Sequence, residues 1–151
     1  MKKLLFTLFA VTCISVVAMA NGPRSIGLHN GEVNYQHSLG ESNMIQLDLG
    51  WSVAGIGATA TYDWIKPISS WNLYGSWNWY YGVGAYLGTG YLFNYFTVGA
   101  AGRIGVEYEF EFPMKLFTDF RPAVGPTISS SGLGFNWAGL YSFGAGIAYV
   151  F

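Results

Sequence analysis

The chain has 151 residues, 52% of them hydrophobic and 19% aromatic, but only 10% charged, with a formal net charge of −1. That is enough for one domain, yet a soluble domain carries about 25% charged residues, and no basic excess points to nucleic acid. Beyond residue 20 no apolar run approaches the roughly 18–20 residues of a transmembrane helix, so a chain this apolar has one membrane solution, the closed β-barrel.

The first twenty residues read as an export signal. Lys2 and Lys3 precede a mostly apolar stretch from Leu4 to Val17, and Ala18-Met19-Ala20 is a small-x-small cleavage site. The expected organisation is a cleaved signal peptide over 1–20 and one β-barrel domain over 21–151. An uncleaved anchor would need a longer apolar core. A lipoprotein would be cut just before Cys13, a signal that Ala10-Val11-Thr12 fits poorly. Cys13 is the single cysteine, so residues 21–151 can form no disulfide and do no thiol chemistry. They hold five Lys/Arg against eight Asp/Glu.

Period-two alternation then marks eight strands. Strand one, about Arg24 to His29, turns Ile26 and Leu28 outward, and Asn30-Gly31 is a hairpin signal. Strand two, Glu32 to Ser38, sets Val33, Tyr35 and His37 against Glu32, Asn34, Gln36 and Ser38. After a turn over Leu39 to Asn43, strand three points Ile45, Leu47, Leu49, Trp51 and Val53 outward, with Met44, Gln46, Asp48, Gly50 and Ser52 inward. Ala54-Gly55 turns the chain into strand four, where Ile56, Ala58, Ala60, Tyr62 and Trp64 oppose Gly57, Thr59, Thr61 and Asp63. Lys66 to Ser70 is the next turn. Strand five, about Trp71 to Leu87, shows Leu73, Trp77, Trp79, Tyr81, Val83 and Ala85 on one face and Asn72, Tyr74, Ser76, Asn78, Tyr80 and Tyr86 on the other. Gly88 to Asn94 is a loop.

Strand six, about Tyr95 to Glu111, puts Arg103, Glu107, Glu109 and Glu111 inward, opposite Val98, Ile104, Val106, Tyr108 and Phe110. A turn over 112–114 leads to strand seven, with Lys115, Phe117, Asp119 and Arg121 inward. Pro122 cannot donate to a ladder, so strand seven ends near Arg121 or bulges there, and Ala123 to Gly134 is expected as the longest loop. Strand eight, about Phe135 to Phe151, alternates Phe143, Ala145, Ile147, Tyr149 and Phe151 with small residues. Gly146, Tyr149 and terminal Phe151 resemble the C-terminal assembly signal of bacterial outer-membrane proteins. Eight is the minimum even count for a transmembrane barrel. With both termini periplasmic, the turns near 40, 67 and 113 face the periplasm and the loops near 30, 54, 91 and 128 face outward.

The competing fold is a soluble barrel of lipocalin type, apolar inside. It would have to bury Glu107, Glu109, Asp119 and Arg121 while exposing Trp51, Trp64, Trp77 and Trp79, an aromatic band that aggregates in water and suits lipid. The expected fold is therefore all-β: an eight-stranded antiparallel up-and-down transmembrane barrel, a lipid-exposed monomer of the outer membrane.

Four stretches carry a family resemblance: Glu32-Val33-Asn34-Tyr35-Gln36-His37, Trp79-Tyr80-Tyr81-Gly82-Val83-Gly84-Ala85, Gly102-Arg103-Ile104-Gly105-Val106-Glu107-Tyr108 and Asp119-Phe120-Arg121-Pro122. In this order they resemble the small, porin-like outer-membrane β-barrel proteins of Bacteroidetes-type Gram-negative bacteria. The resemblance implies an eight-stranded outer-membrane barrel and no defined activity. Family members often have longer loops between strands five and six, so the short Gly88 to Asn94 connection is a departure.

Eight strands leave an interior that side chains nearly fill. Arg103, Glu107 and Glu109 of strand six and Lys115, Asp119 and Arg121 of strand seven are the candidate lumen charge network. A turn at 112–114 would set Glu111 opposite Lys115, Glu107 opposite Asp119 and Gly105 opposite Arg121. The diagonals Glu109–Lys115 and Glu107–Arg121 would then pair opposite charges, giving a salt-bridged plug. An ion-conducting constriction is the alternative use of the same residues.

Catalysis has little support. A lipid-modifying barrel needs a serine nucleophile, a histidine base and an acid. His29, expected as a polar residue at the rim, lies near Glu32, but Ser25 sits four residues deeper, at ~3.3 Å each. His37 reads as an interfacial residue, and two separate histidines without cysteine argue against a metal site. Gly82-Val83-Gly84 and the pair Gly99 and Gly102 precede no helix, so they do not cradle a nucleotide. No catalytic residue, metal or cofactor is expected. The expected partners are outer-membrane lipid and, through the last strand, the barrel-assembly machinery. The reading is a structural or surface-interaction barrel; a narrow porin-like channel is the alternative, and a lipid-modifying enzyme the second alternative.

Overall fold

Alternating large and small side chains give each segment two unlike faces, and the chain satisfies both by curling one antiparallel sheet closed on itself. The computed structural model describes residues 22–52, 55–71, 74–90, 94–137 and 142–151. The expected export signal and its cleavage site lie outside the described residues, as do Val53, Ala54, Asn72, Leu73 and the side chains of Trp51 and Ser52.

The strands are β1 (Arg24–His29), β2 (Glu32–Ser38), β3 (Asn43–Ser52), β4 (Gly55–Pro67), β5 (Gly75–Gly90), β6 (Tyr95–Phe110), β7 (Met114–Phe120), β8 (Ala123–Ser129), β9 (Gly132–Asn136) and β10 (Phe143–Val150). Each pairs antiparallel with its neighbours, and β10 returns to β1. β7 with β8 forms the seventh stave and β9 with β10 the eighth, so the wall is a closed eight-stranded antiparallel barrel. The seam is tied at one end by Arg24 and Phe151, which exchange backbone hydrogen bonds of 3.0 and 2.7 Å. At the other end the Asn30 amide donates to the Phe143 carbonyl (2.7 Å), and its Oδ1 accepts from the Ala145 N–H (3.1 Å). Asn30 and Gly31 have φ of 50° and 84°, the two positive values that a tight hairpin turn requires.

Three boundaries around β4 and β5 differ from the sequence expectation. Lys66 and Pro67 stay paired in β4, opposite Trp79 and Asn78, because the ladder bond to β5 is donated by the Ile68 N–H to the Trp77 carbonyl at 2.7 Å and Pro67 need not donate. A 3-10 turn over Ser69–Trp71 makes the connection, β5 begins at Gly75, and Gly88 to Gly90 belong to that strand rather than to a loop.

β7 ends at Phe120, beside Arg121 as expected, and no bulge follows: the ladder resumes with β8 at Ala123. Ile104 faces Phe120 and Ala101 faces Ala123, so the register with β6 runs through unbroken. Pro122 takes part as an acceptor, receiving the Gly102 N–H at 2.8 Å. The expected long loop of Ala123 to Gly134 is instead the β8–β9 hairpin, turned at Ser130 and Ser131.

The β6–β7 turn is centred on Phe112, not Pro113. The Met114 N–H bonds to the Phe112 carbonyl at 2.6 Å, and the Pro113 carbonyl accepts from Val150 at 3.1 Å. This shifts the register by two residues: Glu109 faces Lys115, Glu107 faces Phe117 and Gly105 faces Asp119.

The polarity is the reverse of a soluble domain. Among the described residues, sixteen buried side chains are polar or charged and only five are hydrophobic: Met44, Tyr80, Ala101, Phe117 and Ala148. The outer wall carries Leu28, Leu49, Val83, Ile104, Leu116 and Ile147, all exposed. Near the Phe151 end its rings touch in two runs. One is Trp71, Trp77, Tyr108, Phe110 and Phe112, with centroids 4.7–5.5 Å apart; the other is Tyr62, Trp64, Tyr81 and Trp79, at 5.2–5.4 Å. Toward the Asn30 end, Phe135 and Trp137 pack at 4.4 Å, with Phe96 and Ile128 exposed nearby in register.

Candidate functional site

The inward positions of β1, β2, β3, β6 and β7 converge on one ionic cluster. Asp48 of β3 is at its centre. Its carboxylate meets Arg103 through Oδ2 and Nη2 and receives the Nδ2 of Asn34 at 2.8 Å. It also lies 3.2 Å from His29 Nδ1 and 3.0 Å from Arg121 Nη1. Asp119 of β7 is the second acid, 3.1 Å from His29 Nε2 and 3.6 Å from Arg103 Nη1, and it accepts the Tyr80 hydroxyl at 3.0 Å. The His29–Asp119 approach is close but not aligned as a hydrogen bond. Arg121 continues to Glu32 at 2.7 Å. The side chains of His29, Asp48, Arg103 and Asp119 have no solvent exposure.

Backbone-close glycines make room for this cluster. A Cβ on Gly144 would collide with His29 Nε2, one on Gly50 would lie 2.6 Å from Glu32 Oε1, and one on Gly146 would strike the Phe117 ring. The small face of the last strand is thus the bed on which the lumen side chains lie. Gly144→Ala is expected to push His29 off Asp119 and to destabilise the barrel by about 1–3 kcal/mol, the usual cost of overpacking. The heat-unfolding midpoint on gels measures this.

The candidate residues divide into two groups. Arg103, Asp119 and Arg121 meet in the cluster, joined there by His29, Glu32 and Asp48. Lys115 and Glu107 form a separate pair at 3.3 Å, with Asn78 donating to Glu107 at 3.2 Å. Glu109 lines the mouth at the Phe151 end together with that pair. The expected Glu109–Lys115 and Glu107–Arg121 bridges are replaced by Glu107–Lys115 and Glu32–Arg121. The cause is the two-residue register shift, together with the reach of arginine across a narrow lumen. Asp63, buried in β4, accepts from the Thr61 hydroxyl at 3.0 Å. Gly146, Tyr149 and Phe151 lie along the seam, Tyr149 opposite both Ile26 and Met114.

His29 is not a rim residue: it points inward between two carboxylates because Gly144 leaves the space. Ser25 does not approach it and instead donates to Gln36 at 3.1 Å. His37 is fully buried, 3.2 Å from the Tyr35 hydroxyl. One atom each of His29, Glu32 and Asp48 can lie within 4.8 Å of one another, a spacing that suits a cation. The Arg121 guanidinium already spans Glu32 and Asp48 there.

Two cavities flank the cluster and share no lining residue. One, of about 250 Å³, opens at the Phe151 end among Arg24, Glu41, Asn78, Glu107, Glu109 and Lys115. The other, of about 360 Å³, opens at the Asn30 end around Glu32, Thr59, Tyr86 and Tyr95. Together these features define a class: a small closed β-barrel with an ionic interior and an apolar outer wall. Compared with known proteins, the chain matches no family model, no curated sequence and no solved structure.

Proposed function

We propose that this chain is a small integral outer-membrane β-barrel of a Gram-negative bacterium, exported through its N-terminal signal, with a plugged lumen and a structural or surface-interaction role. The observation that carries this reading is the inverted polarity. A buried interior of ionised side chains within a ringed apolar wall is unfavourable in water and favourable in lipid. Aromatic side chains toward both ends of the wall fit the two interfacial girdles of a bilayer. Its surroundings are outer-membrane lipid, it stands as a monomer, and β10, with Tyr149 facing outward, is the segment the barrel-assembly machinery would take. No residue is assigned a catalytic, cofactor or metal role.

The two flanking cavities favour one second reading, a narrow channel. The ionic cluster lies between them, together with buried side chains such as Met44, Tyr80 and Phe117. The plugged reading predicts no unitary conductance for the parent barrel in planar bilayers, and steps only when Arg103 and Arg121 are both truncated to alanine. Conductance by the parent would favour the channel.

A further inference from the structure

The cup at the Asn30 end has a built interior. Its volume of about 360 Å³ falls in the range of small-molecule sites. Glu32 stands in its lining with one carboxylate oxygen held by Arg121 at 2.7 Å and the other, Oε1, turned toward Gly50. This acid is therefore held on one oxygen by Arg121, which it shares with Asp48. Thr59, 8% exposed, contributes to the same wall.

Tyr86 is the other built element. A Cβ on Gly57 would sit 3.6 Å from ring carbon Cε2, and a Cβ on Gly88 would collide with the Tyr86 hydroxyl. The tip of the ring therefore lies against two glycines of the barrel wall, and the side chain lines the cup. An aromatic ring, a carboxylate acceptor held by arginine and a neighbouring hydroxyl residue are the recognition chemistry of a neutral polyhydroxylated ring. The apolar C–H face of a sugar stacks on the aromatic, and its hydroxyls bond to the carboxylate and the hydroxyl. An organic cation would find the same ring, but Arg121 already answers the carboxylate.

We propose that this cup is a saccharide-binding site, with a sugar ring stacked on Tyr86 and a sugar hydroxyl donating to Glu32 Oε1. The proposal goes beyond the plugged-barrel reading. It is independent of which end faces outward, because the test is made on the solubilised protein.

The barrel, refolded in detergent and checked for its heat-dependent gel shift, is titrated with glucose, galactose, N-acetylglucosamine, their β-linked oligomers and a lipopolysaccharide core oligosaccharide, followed by intrinsic fluorescence. Saturable binding is expected. Tyr86→Ala should weaken it about tenfold, the size of one lost aromatic stack, and Tyr86→Phe should nearly retain it. Gly88→Ala should weaken it with the ring still present. Binding of the core oligosaccharide alone identifies a lipid-borne saccharide, and binding of free sugars a soluble one. The proposal is overturned if no saccharide saturates, if Tyr86→Ala binds like the parent, or if tetramethylammonium binds where the sugars do not.

Discussion

Replacing Arg103 with methionine is expected to destabilise the barrel by about 3–5 kcal/mol, the usual cost of removing one partner from a buried ion pair. Arg103 contacts both Asp48 and Asp119 in a region without solvent exposure. Without it, Asp48 keeps Arg121 and the contact to His29, while Asp119 keeps only His29 and the Tyr80 hydroxyl. Methionine fills similar space but answers no charge. Lys115→Met serves as the internal comparison: Lys115 has one acidic partner, Glu107, and its side chain is 10% exposed, so its loss should cost clearly less. Thermal midpoints of the two variants in the same detergent measure the difference. Equal midpoints for Arg103→Met and the parent would remove the cluster from the account of stability.

The second large effect comes from the outer wall. Val83 is 60% exposed near the middle of β5. In a soluble barrel an arginine there would be nearly neutral, since exposed substitutions usually fall within about 0.5 kcal/mol. On a lipid face near the bilayer midplane it costs about 2–4 kcal/mol. Val83→Arg is therefore expected to lower the folded fraction in lipid vesicles sharply, and Glu41→Arg, in the exposed turn after β2, to leave it nearly unchanged. Equal folding of both variants would contradict the lipid-facing assignment of the wall.

Alternation made the wall legible. Wherever a large side chain alternated with a small or polar one, as along Ser142 to Phe151 and Tyr95 to Phe110, the structure keeps those faces. Asn30-Gly31 gave its turn because few dipeptides accept two positive φ angles. Pro122 marked the end of β7 at Phe120, but the same register resumes in β8, because at this position the chain needs only the proline carbonyl. The β8–β9 hairpin was hidden for a related reason: ending strand seven near Arg121 leaves Ala123 to Gly134 to be read as a loop.

The ionic cluster was half legible. Strand parity placed Arg103, Asp119, Arg121 and Asp48 inside, but ladder reasoning pairs only neighbouring strands. The observed partners lie 55 residues apart for Arg103–Asp48 and 89 for Arg121–Glu32, and they meet across the lumen. Eight strands close so narrowly that a guanidinium reaches the opposite wall, a consequence of barrel size rather than of any local motif. His29 was misplaced because its space is made by Gly144, 115 residues away.

The central claim is a closed barrel seated in the outer membrane, and electrophoretic migration of that membrane fraction, unboiled against boiled, tests it most directly. The account predicts recovery in that fraction and a clear change in migration on boiling, since a closed ladder resists detergent until heated. Recovery in the soluble periplasm with no shift would contradict it and restore the soluble, ligand-carrying barrel.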